Sequence, residues 1–295
     1  MKCMFIYNPE SGNGRIRKKE EYIVKSLSQK YQVVDVKRTE YQGHAKEYAC
    51  SSVGKYDTLI VAGGDGTLNE VVSAIAQKDG APTIGYIPTG TVNDVAHSLG
   101  ISKNIKKALN TILNGTPFSH DVFRVKDRYG LYVCAIGSIS ESSYLAKRKS
   151  KKAFGKLAYF FHGASKIFSG KSFYAKLEYD GGVIEQESAL FLAMNSKHVA
   201  GFTVNKEAEL SDGLVDIVLI ENQKKKVTLE SLLKIAKLFL FKLKRSEKTK
   251  GLTHLKLDKF KFTTSPTTAV NLDGEFGFYG SFDFEVIKGG IKILI

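Results

Sequence analysis

Apolar and polar positions alternate along the first 118 residues in a way that predicts short buried strands separated by helices. The apolar runs predict strands over 2–7, 32–37, 58–62 and 83–87. The segments between them predict helices over 16–30, 43–51 and 67–76, with two more near Val92 and Ile105. Such alternation is typical of a parallel sheet whose faces are covered by helices. We therefore expect an α/β domain over residues 1–118.

The pattern changes after residue 118, where strands rich in Tyr, Phe, Val and Ile follow one another with few helices. Strands or strand pairs are predicted over 119–138, 172–195, 214–220, 253–264, 268–272 and 281–295. Asp180-Gly181-Gly182 is the clearest hairpin turn, and helices are predicted over 154–168 and 229–241. Residues 119–295 are thus expected to form a mostly antiparallel β-sandwich, although the last strand could return to the first domain.

A glycine-rich loop follows the third predicted strand. Residues 62–70 read Ala-Gly-Gly-Asp-Gly-Thr-Leu-Asn-Glu, and they run from a buried strand into a helix. Gly63, Gly64 and Gly66 leave room for an anion, and their amides and the helix dipole attract phosphate. Asp65 would repel a bare phosphate, so it suits either a contact through Mg²⁺ or a role in holding the loop. The alternative is a glycine-rich turn that binds no ligand.

Two further loops end neighbouring strands at the same edge of the sheet. The first, Asn8-Pro-Glu-Ser-Gly12, is followed by Arg15 and Arg17, and it matches neither a Walker loop nor a dinucleotide fingerprint. Its alternative role is helix capping by Asn8 and Ser11. The second loop, residues 88–94, offers Thr91 and Asn93 to phosphate or ribose. Three such loops at one sheet edge predict a nucleotide site.

In this order, Asn8–Gly12, Gly63–Asn69, Gly90–Asp94, Ser211–Asp216 and Leu272–Glu275 resemble the motifs of the diacylglycerol kinase catalytic family. That family includes bacterial soluble lipid kinases, sphingosine kinases and ceramide kinases. The resemblance spans nearly the whole chain. It implies a kinase that depends on ATP and Mg²⁺ and phosphorylates a lipid hydroxyl.

The resemblance also implies roles for individual residues. The residues implied to bind ATP are Asn8, Pro9, Glu10, Ser11, Gly12, Thr39, Gly63, Gly64, Asp65, Gly66, Thr67, Leu68, Asn69 and Thr91. Glu275 is implied to be the general base, with Asp273 as a neighbour that helps to hold Mg²⁺. Asp65 is the third expected catalytic residue. A structural Mg²⁺ is implied at Asp212 and the main-chain carbonyls of Glu209 and Leu214. Ser211 departs from the family pattern, which often has a second Asp there. Without the resemblance, both Asp-Gly pairs could be simple turns.

Composition points to anionic partners and a reducing compartment. The chain of 295 residues carries a net charge of +14, from 44 Lys and Arg against 30 Asp and Glu. Its three cysteines show no metal-ligand spacing, which favours the cytoplasm. No apolar run approaches the roughly 18 residues that a spanning helix needs. Basic residues occur at 147–152 and at 224–226, and the apolar segment 229–241 runs into further basic residues at 242–245. This suggests peripheral contact with the anionic inner membrane face, although solvated faces and a buried helix are the alternatives.

We expect the enzyme to convert diacylglycerol to phosphatidic acid, with sphingoid bases and other lipid alcohols as alternative substrates. NAD kinase is the enzymatic alternative because it shares the Gly-Gly-Asp-Gly-Thr loop. A non-catalytic lipid or nucleotide binder is less favoured, since both Asp65 and Glu275 are present. Nucleic acid is not an expected partner, because no recognition motif accompanies the basic runs. A homodimer is compatible with the sequence.

Overall fold

The computed structural model describes residues 1–137, 170–241 and 250–295. The first half contains four parallel strands in the spatial order β4-β3-β1-β2. The strands are β1 (Lys2–Tyr7), β2 (Val33–Arg38), β3 (Thr58–Gly63) and β4 (Thr83–Pro88). The helices are α1 (Glu20–Leu27), α2 (His44–Ser52), α3 (Asp65–Ile75), α4 (Asp94–Leu99) and α5 (Ile105–Asn114). This arrangement confirms the α/β expectation.

Helices cover both faces of the parallel sheet, which explains why its strands are continuously apolar. Every residue of β3 is buried. On one face, Phe5 and Ile60 pack with Ile23 of α1 and Ile112 of α5. The opposite face packs against α2 and α3 and joins apolar residues from the second half of the chain. Burial on two faces leaves the strand ends as the exposed, ligand-accessible parts of the sheet.

The second half is mostly antiparallel, as expected. Its strands are β5 (Pro117–Val125), β6 (Arg128–Gly130), β7 (Val133–Gly137), β8 (Phe173–Tyr179), β9 (Gly182–Met194), β10 (His198–Val199), β11 (Phe202–Thr203), β12 (Val215–Glu221), β13 (Leu252–Leu257), β14 (Lys259–Thr263), β15 (Ala269–Leu272), β16 (Glu275–Tyr279) and β17 (Phe282–Leu294). Helix α6 spans Leu229–Phe241. Packed phenylalanines, including the stacked pair Phe260 and Phe284 with ring centroids 4.6 Å apart, fill the sandwich interior.

Strand β17 joins the two halves. It pairs antiparallel with β5 and β14, and it pairs parallel with β4 through Ile293 and Ile84. A bulge between Ile287 and Ile291 contains Gly289, whose φ of 60° favours glycine. The last strand therefore lies beside the first domain's sheet. The boundary between the two domains was predicted between residues 118 and 119, which both lie within β5. The position of this boundary remains a prediction.

The structure departs from the sequence-based expectations at the first helix and at one strand of the second half. Helix α1 begins at Glu20 rather than residue 16, because two short 3₁₀ turns over Ser11–Gly14 and Arg17–Lys19 precede it. Strand β16 was not predicted. The expected helix over 154–168 and the basic residues at 147–152 and 242–245 lie outside the described residues. Among the described helices, none has the length and apolarity needed to cross a membrane.

Candidate active site

The loops that end β1, β3 and β4 touch one another. Ser11 Oγ and Thr89 Oγ1 are hydrogen bonded at 2.7 Å, which joins the first loop to the last. Gly64 and Gly90 approach so closely that a Cβ on Gly90 would lie 2.6 Å from Gly64 Cα. Only glycine permits this backbone contact. The three predicted loops therefore form one surface.

The Gly63–Asn69 segment is shaped by contacts within and beside it. A Cβ on Gly63 would lie 2.6 Å from the Thr67 side chain, so this glycine is required by the turn itself. Leu68 is fully buried in the core, which leaves only its main chain available to a ligand. Helix α3 begins at Asp65, two residues before the expected start. Its free amides consequently include those of the glycine-rich turn.

Asp65 holds the start of α4. Its carboxylate accepts hydrogen bonds from the amides of Asp94 at 3.2 Å and Val95 at 3.4 Å. Burial raises the pKa of the Asp65 carboxyl, while hydrogen bonds from the amides of residues 93–95 oppose that change. Of the two roles expected for Asp65, these contacts favour holding the loop.

Asp273 lies in the turn between β15 and β16. Asp273 and Gly274 have φ values of 51° and 85°, as a two-residue type I′ hairpin requires. The buried Asp273 carboxylate accepts hydrogen bonds from the amides of residues 131–133 at 2.7–3.0 Å. Asn69 Nδ2 donates to it at 2.5 Å. Burial raises the pKa of Asp273 to about 6 against these donors. The turn is thus tied directly to α3.

Glu275 follows this turn and faces the glycine-rich loop. A Cβ on Gly66 would lie 3.2 Å from Glu275 Oε1. The Glu275 side chain is exposed, so it is accessible to a substrate. A carboxylate from the second half therefore lies beside the predicted phosphate loop of the first. The Asp-Gly-Glu segment is a hairpin turn and a site element at once.

A cleft extends from these loops toward the end of β2. It has a volume of about 700 Å³, and it brings Thr39 together with Pro9 and Glu10 of the first loop. Three cationic side chains line it: Arg17, Lys18 and Arg38. Arg38 donates to Glu20 at 2.5 Å and to the Tyr7 hydroxyl at 2.9 Å, which fixes its guanidinium. The lining is of mixed charge, because Glu10, Glu20, Glu21 and Glu40 lie on it beside these three cations.

Three polar side chains differ from their expected use. Asn8 Oδ1 accepts from the Glu10 amide at 2.9 Å, and Ser11 contacts Thr89, so neither caps a helix. Asn93 is buried and exchanges two hydrogen bonds with the Gly90 backbone, at 2.7 and 2.9 Å. It therefore holds its own loop together. Thr91 lies on the exposed part of that loop.

The implied structural metal site contains a protein cation. Lys256 Nζ lies 2.5 Å from Asp212 Oδ2 and 3.9 Å from Glu209 Oε1. The other Asp212 oxygen accepts from the Leu214 amide at 3.0 Å. Carboxylate and carbonyl oxygens suit Mg²⁺, but a metal on Asp212 would have to displace Lys256. Within the described residues, no group of three or more His, Cys, Asp or Glu side chains could hold a metal.

Comparison with known proteins decides the family. The diacylglycerol kinase catalytic domain matches residues 2–125, and the YegS C-terminal NAD kinase beta sandwich-like domain matches residues 139–293. The chain is 32% identical over 281 residues to a diacylglycerol kinase of Bacillus subtilis (strain 168), covering 94% of this chain and 90% of that protein. The chain belongs to the diacylglycerol kinase catalytic family.

Other members of the diacylglycerol kinase family are similar to this chain in sequence and in fold. A diacylglycerol kinase of Staphylococcus saprophyticus subsp. saprophyticus is 33% identical over 280 residues, which covers 94% of this chain and 89% of that protein. A crystal structure of a diacylglycerol kinase from Bacillus anthracis str. Sterne gives a TM-score of 0.82 at 26% identity, covering 99% of this chain and 96% of that one. The chain is therefore a kinase with an alcohol acceptor, and its family implies ATP as phosphate donor.

Several residues that shape the kinase site were not found from sequence. Thr89 and Lys256 act through partners distant in the chain, so the motif beside Thr89 and the strand pattern around Lys256 do not reveal these contacts. Asp121 accepts from the amides of Gly213 and Gly289, both at 2.7 Å, and so ties the Asp212 turn to β17. An acidic residue inside a predicted strand was the only available signal for Asp121.

Proposed function

We propose that this kinase transfers the γ-phosphate of ATP to the free hydroxyl of diacylglycerol, giving phosphatidic acid. The position of Glu275 beside Gly66 is the observation that carries the proposal. Phosphoryl transfer to an alcohol requires a base within reach of the hydroxyl and donors that hold the phosphates. The hairpin supplies Glu275 as the base, and the three joined loops supply the donors that hold the phosphates. The names of the relatives support diacylglycerol as the acceptor.

The nucleotide would lie along the carboxyl ends of the parallel strands. Glu275 marks the reacting end, so the γ-phosphate belongs near Gly66. The β2 end of the cleft, which contains Thr39, would then receive the part of ATP farthest from the reaction. Arg17 and Lys18 line this cleft and would contact the polyphosphate. The proposed orientation of ATP thus depends on which of the loops lies beside Glu275.

Each acidic residue has a different proposed role. Glu275 would accept the proton of the lipid hydroxyl as its oxygen attacks the γ-phosphorus and ADP leaves. Asp273 would position Glu275, because its carboxylate fixes the turn one residue before the base. Asp65 would position the phosphate loops through the start of α4. Asp273 and Asp65 would thus support the structure of the site, whereas Glu275 would contact the substrate.

Magnesium is proposed to accompany the nucleotide. When bound there, Mg²⁺ would neutralise charge on the phosphates. The separate structural site at Glu209, Asp212 and Leu214 has suitable oxygen donors, but Lys256 already balances the carboxylate. We therefore propose that Mg²⁺ would bind there only in competition with Lys256.

Contact with an anionic membrane surface is also part of the proposal. On α6, Leu229 and Leu233 are each 63% exposed, while Ile235 and Leu238 are buried. The helix thus covers the sandwich with one face and exposes leucines on another. The exposed lysines at 224–226 precede it. This combination suits an interfacial helix beside acidic headgroups.

Labelled ATP provides the direct test of the substrate. The protein would be incubated separately with diacylglycerol vesicles, a sphingoid base and NAD, and with matched Glu275→Gln protein as control. We expect label in phosphatidic acid, with turnover abolished and ATP binding retained in the variant. Label entering NAD or the sphingoid base alone would overturn the proposed acceptor. Normal turnover by Glu275→Gln would overturn the role of Glu275.

A further inference from the structure

Two exposed aromatic rings lie on the strand that starts with Glu275. Phe276 is 43% exposed and Tyr279 is 59% exposed, and their ring centroids are 4.9 Å apart. A bulge in β16 places them opposite Asn271 and Ala269 of β15, on a shared face. Phe278 instead packs against the sandwich core. The strand therefore presents an aromatic pair on the face that the core does not use.

Two cations lie along the edge of the same strand. Arg128 donates to the Gly277 carbonyl at 2.6 Å, and Lys126 Nζ lies 3.5 Å from the Tyr279 carbonyl oxygen. Lys126 Nζ also lies 4.2 Å from the centre of the Phe278 ring. Both cationic side chains are exposed, with the acidic Asp127 between them in the chain. We call Phe276, Tyr279, Lys126 and Arg128 the hairpin patch.

The composition of the hairpin patch suits a bilayer surface. Aromatic side chains favour the boundary between hydrocarbon and headgroups, while cations favour anionic headgroups. Among the described residues, β16 pairs only with β15, and Arg128 and Lys126 occupy carbonyls along its outer edge. Because these cations protect the edge from pairing with another strand, they favour a lipid surface over strand addition.

We infer that the hairpin patch docks the enzyme on an anionic bilayer and thereby brings Glu275 to the depth of the lipid hydroxyl. The link is covalent, since Phe276 follows Glu275 directly. A rigid turn held by Asp273 then fixes the distance between the docking surface and the base. The role of Glu275 in this inference rests on the proposed function, whereas bilayer contact by the patch is measurable without it.

Tryptophan fluorescence tests the contact directly, because the chain contains no tryptophan. Three single variants would each carry one probe: Tyr279→Trp in the patch, Leu233→Trp on α6 and Val183→Trp as control. Val183 is 58% exposed on the separate β8–β9 hairpin, which matches the exposure of Tyr279. Each variant would be titrated with phosphatidylcholine vesicles with and without phosphatidylglycerol, and with brominated lipid as a depth quencher.

We expect a blue shift and bromine quenching for Tyr279→Trp on vesicles with phosphatidylglycerol, and neither for Val183→Trp. A response from Leu233→Trp alone, or from no probe, would overturn the inference. A blue shift of Tyr279→Trp that grows with protein concentration in the absence of lipid would also overturn it. That result would identify a second copy of the chain as the occupant.

A substitution pair connects docking to turnover. For Phe276→Ser with Tyr279→Ser, we expect the vesicle partition coefficient to fall about tenfold, because two aromatic side chains no longer contribute apolar contact. The ratio of transfer to vesicle diacylglycerol over water-dispersed short-chain diacylglycerol should fall similarly. An unchanged ratio would overturn the link to catalysis. If even the wild type phosphorylated neither lipid, the proposed function would fail, while the fluorescence result would still decide the docking surface.

Discussion

Substitution of Gly66 by alanine is expected to separate stability from catalysis. Gly66 lies in the first turn of α3, and its φ is not in the left-handed region. An alanine therefore fits the backbone, and its higher helix propensity favours the fold by up to about 1 kcal/mol. Here the two effects should have opposite signs.

The expected loss of activity follows from one distance. The new Cβ would lie 3.2 Å from Glu275 Oε1, which is tighter than nine in ten Cβ contacts in proteins. The carboxylate would have to move by a few tenths of an ångström. Because a misplacement of about 1 Å can cost about 10²-fold in rate, we expect kcat to fall about tenfold, or about 1.4 kcal/mol of activation free energy.

Single-turnover phosphoryl transfer at saturating ATP measures this loss, and urea unfolding measures stability. ATP affinity should change little, because the strain is directed at the base. The decisive comparison adds Gly66→Ala to Glu275→Gln. If the alanine acts through the base, the double variant should be no slower than Glu275→Gln alone.

Two results would refute this reasoning. Full activity of Gly66→Ala would mean that Glu275 is not confined by the glycine-rich loop. A further loss in the double variant, together with weaker ATP binding, would mean that the alanine disturbs the nucleotide instead. Because Gly66 also belongs to the predicted phosphate loop, the double variant distinguishes an effect on ATP binding from an effect on Glu275.

Three other substitutions or conditions test the supports of the site. Gly90→Ala should weaken both ATP binding and stability, measured by calorimetry and urea unfolding, since its Cβ would meet Gly64 Cα at 2.6 Å; unchanged values would contradict the loop contact. Lys256→Met should increase the Mg²⁺-dependent rise in Tm by freeing Asp212; an equal rise in the wild type would contradict competition. Burial raises the pKa of Asp273 from 3.8 to about 6, so its folded state binds the proton more tightly. Its stability contribution should be full below pH 3.8 and be lost as pH rises toward 6, and Asp273→Asn should remove that slope in urea titrations.

The parallel half could be predicted closely from sequence because its signals are local. Strand β1 has the predicted bounds Lys2–Tyr7, and β3 differs only by including Gly63. Continuous apolar runs identify strands buried on both faces, and parallel topology then places their ends together. The hairpin at Asp180 and Gly181 was predictable for a similar reason, since its turn residues stand between two apolar runs.

The remaining features depend on contacts between distant parts of the chain. Strand β16 contains Gly277 within a bulge and only five residues, so its periodicity is too short to recognise. The alternative capping role of Ser11 is not adopted, because its hydroxyl is hydrogen bonded to Thr89, 78 positions away in the chain. Lys256 opposite Asp212 likewise follows from the pairing of β12 with β13. No local motif encodes such partnerships.

The segment Asp273-Gly274-Glu275 forms a hairpin turn and also carries the proposed base. The turn interpretation and the catalytic interpretation of this motif are therefore compatible. A type I′ turn is compatible with Asp-Gly, and the Asp273 carboxylate then binds donors from the 131–133 segment and from Asn69 of α3. The amide bonds lie within the second half, whereas the Asn69 bond crosses between the halves, two residues before Glu275. This direct hydrogen bond helps to set the distance between the proposed base and the glycine-rich loop. A motion that separated the hairpin from α3 would have to break this bond to a carboxylate, which is worth about 1.5–3 kcal/mol.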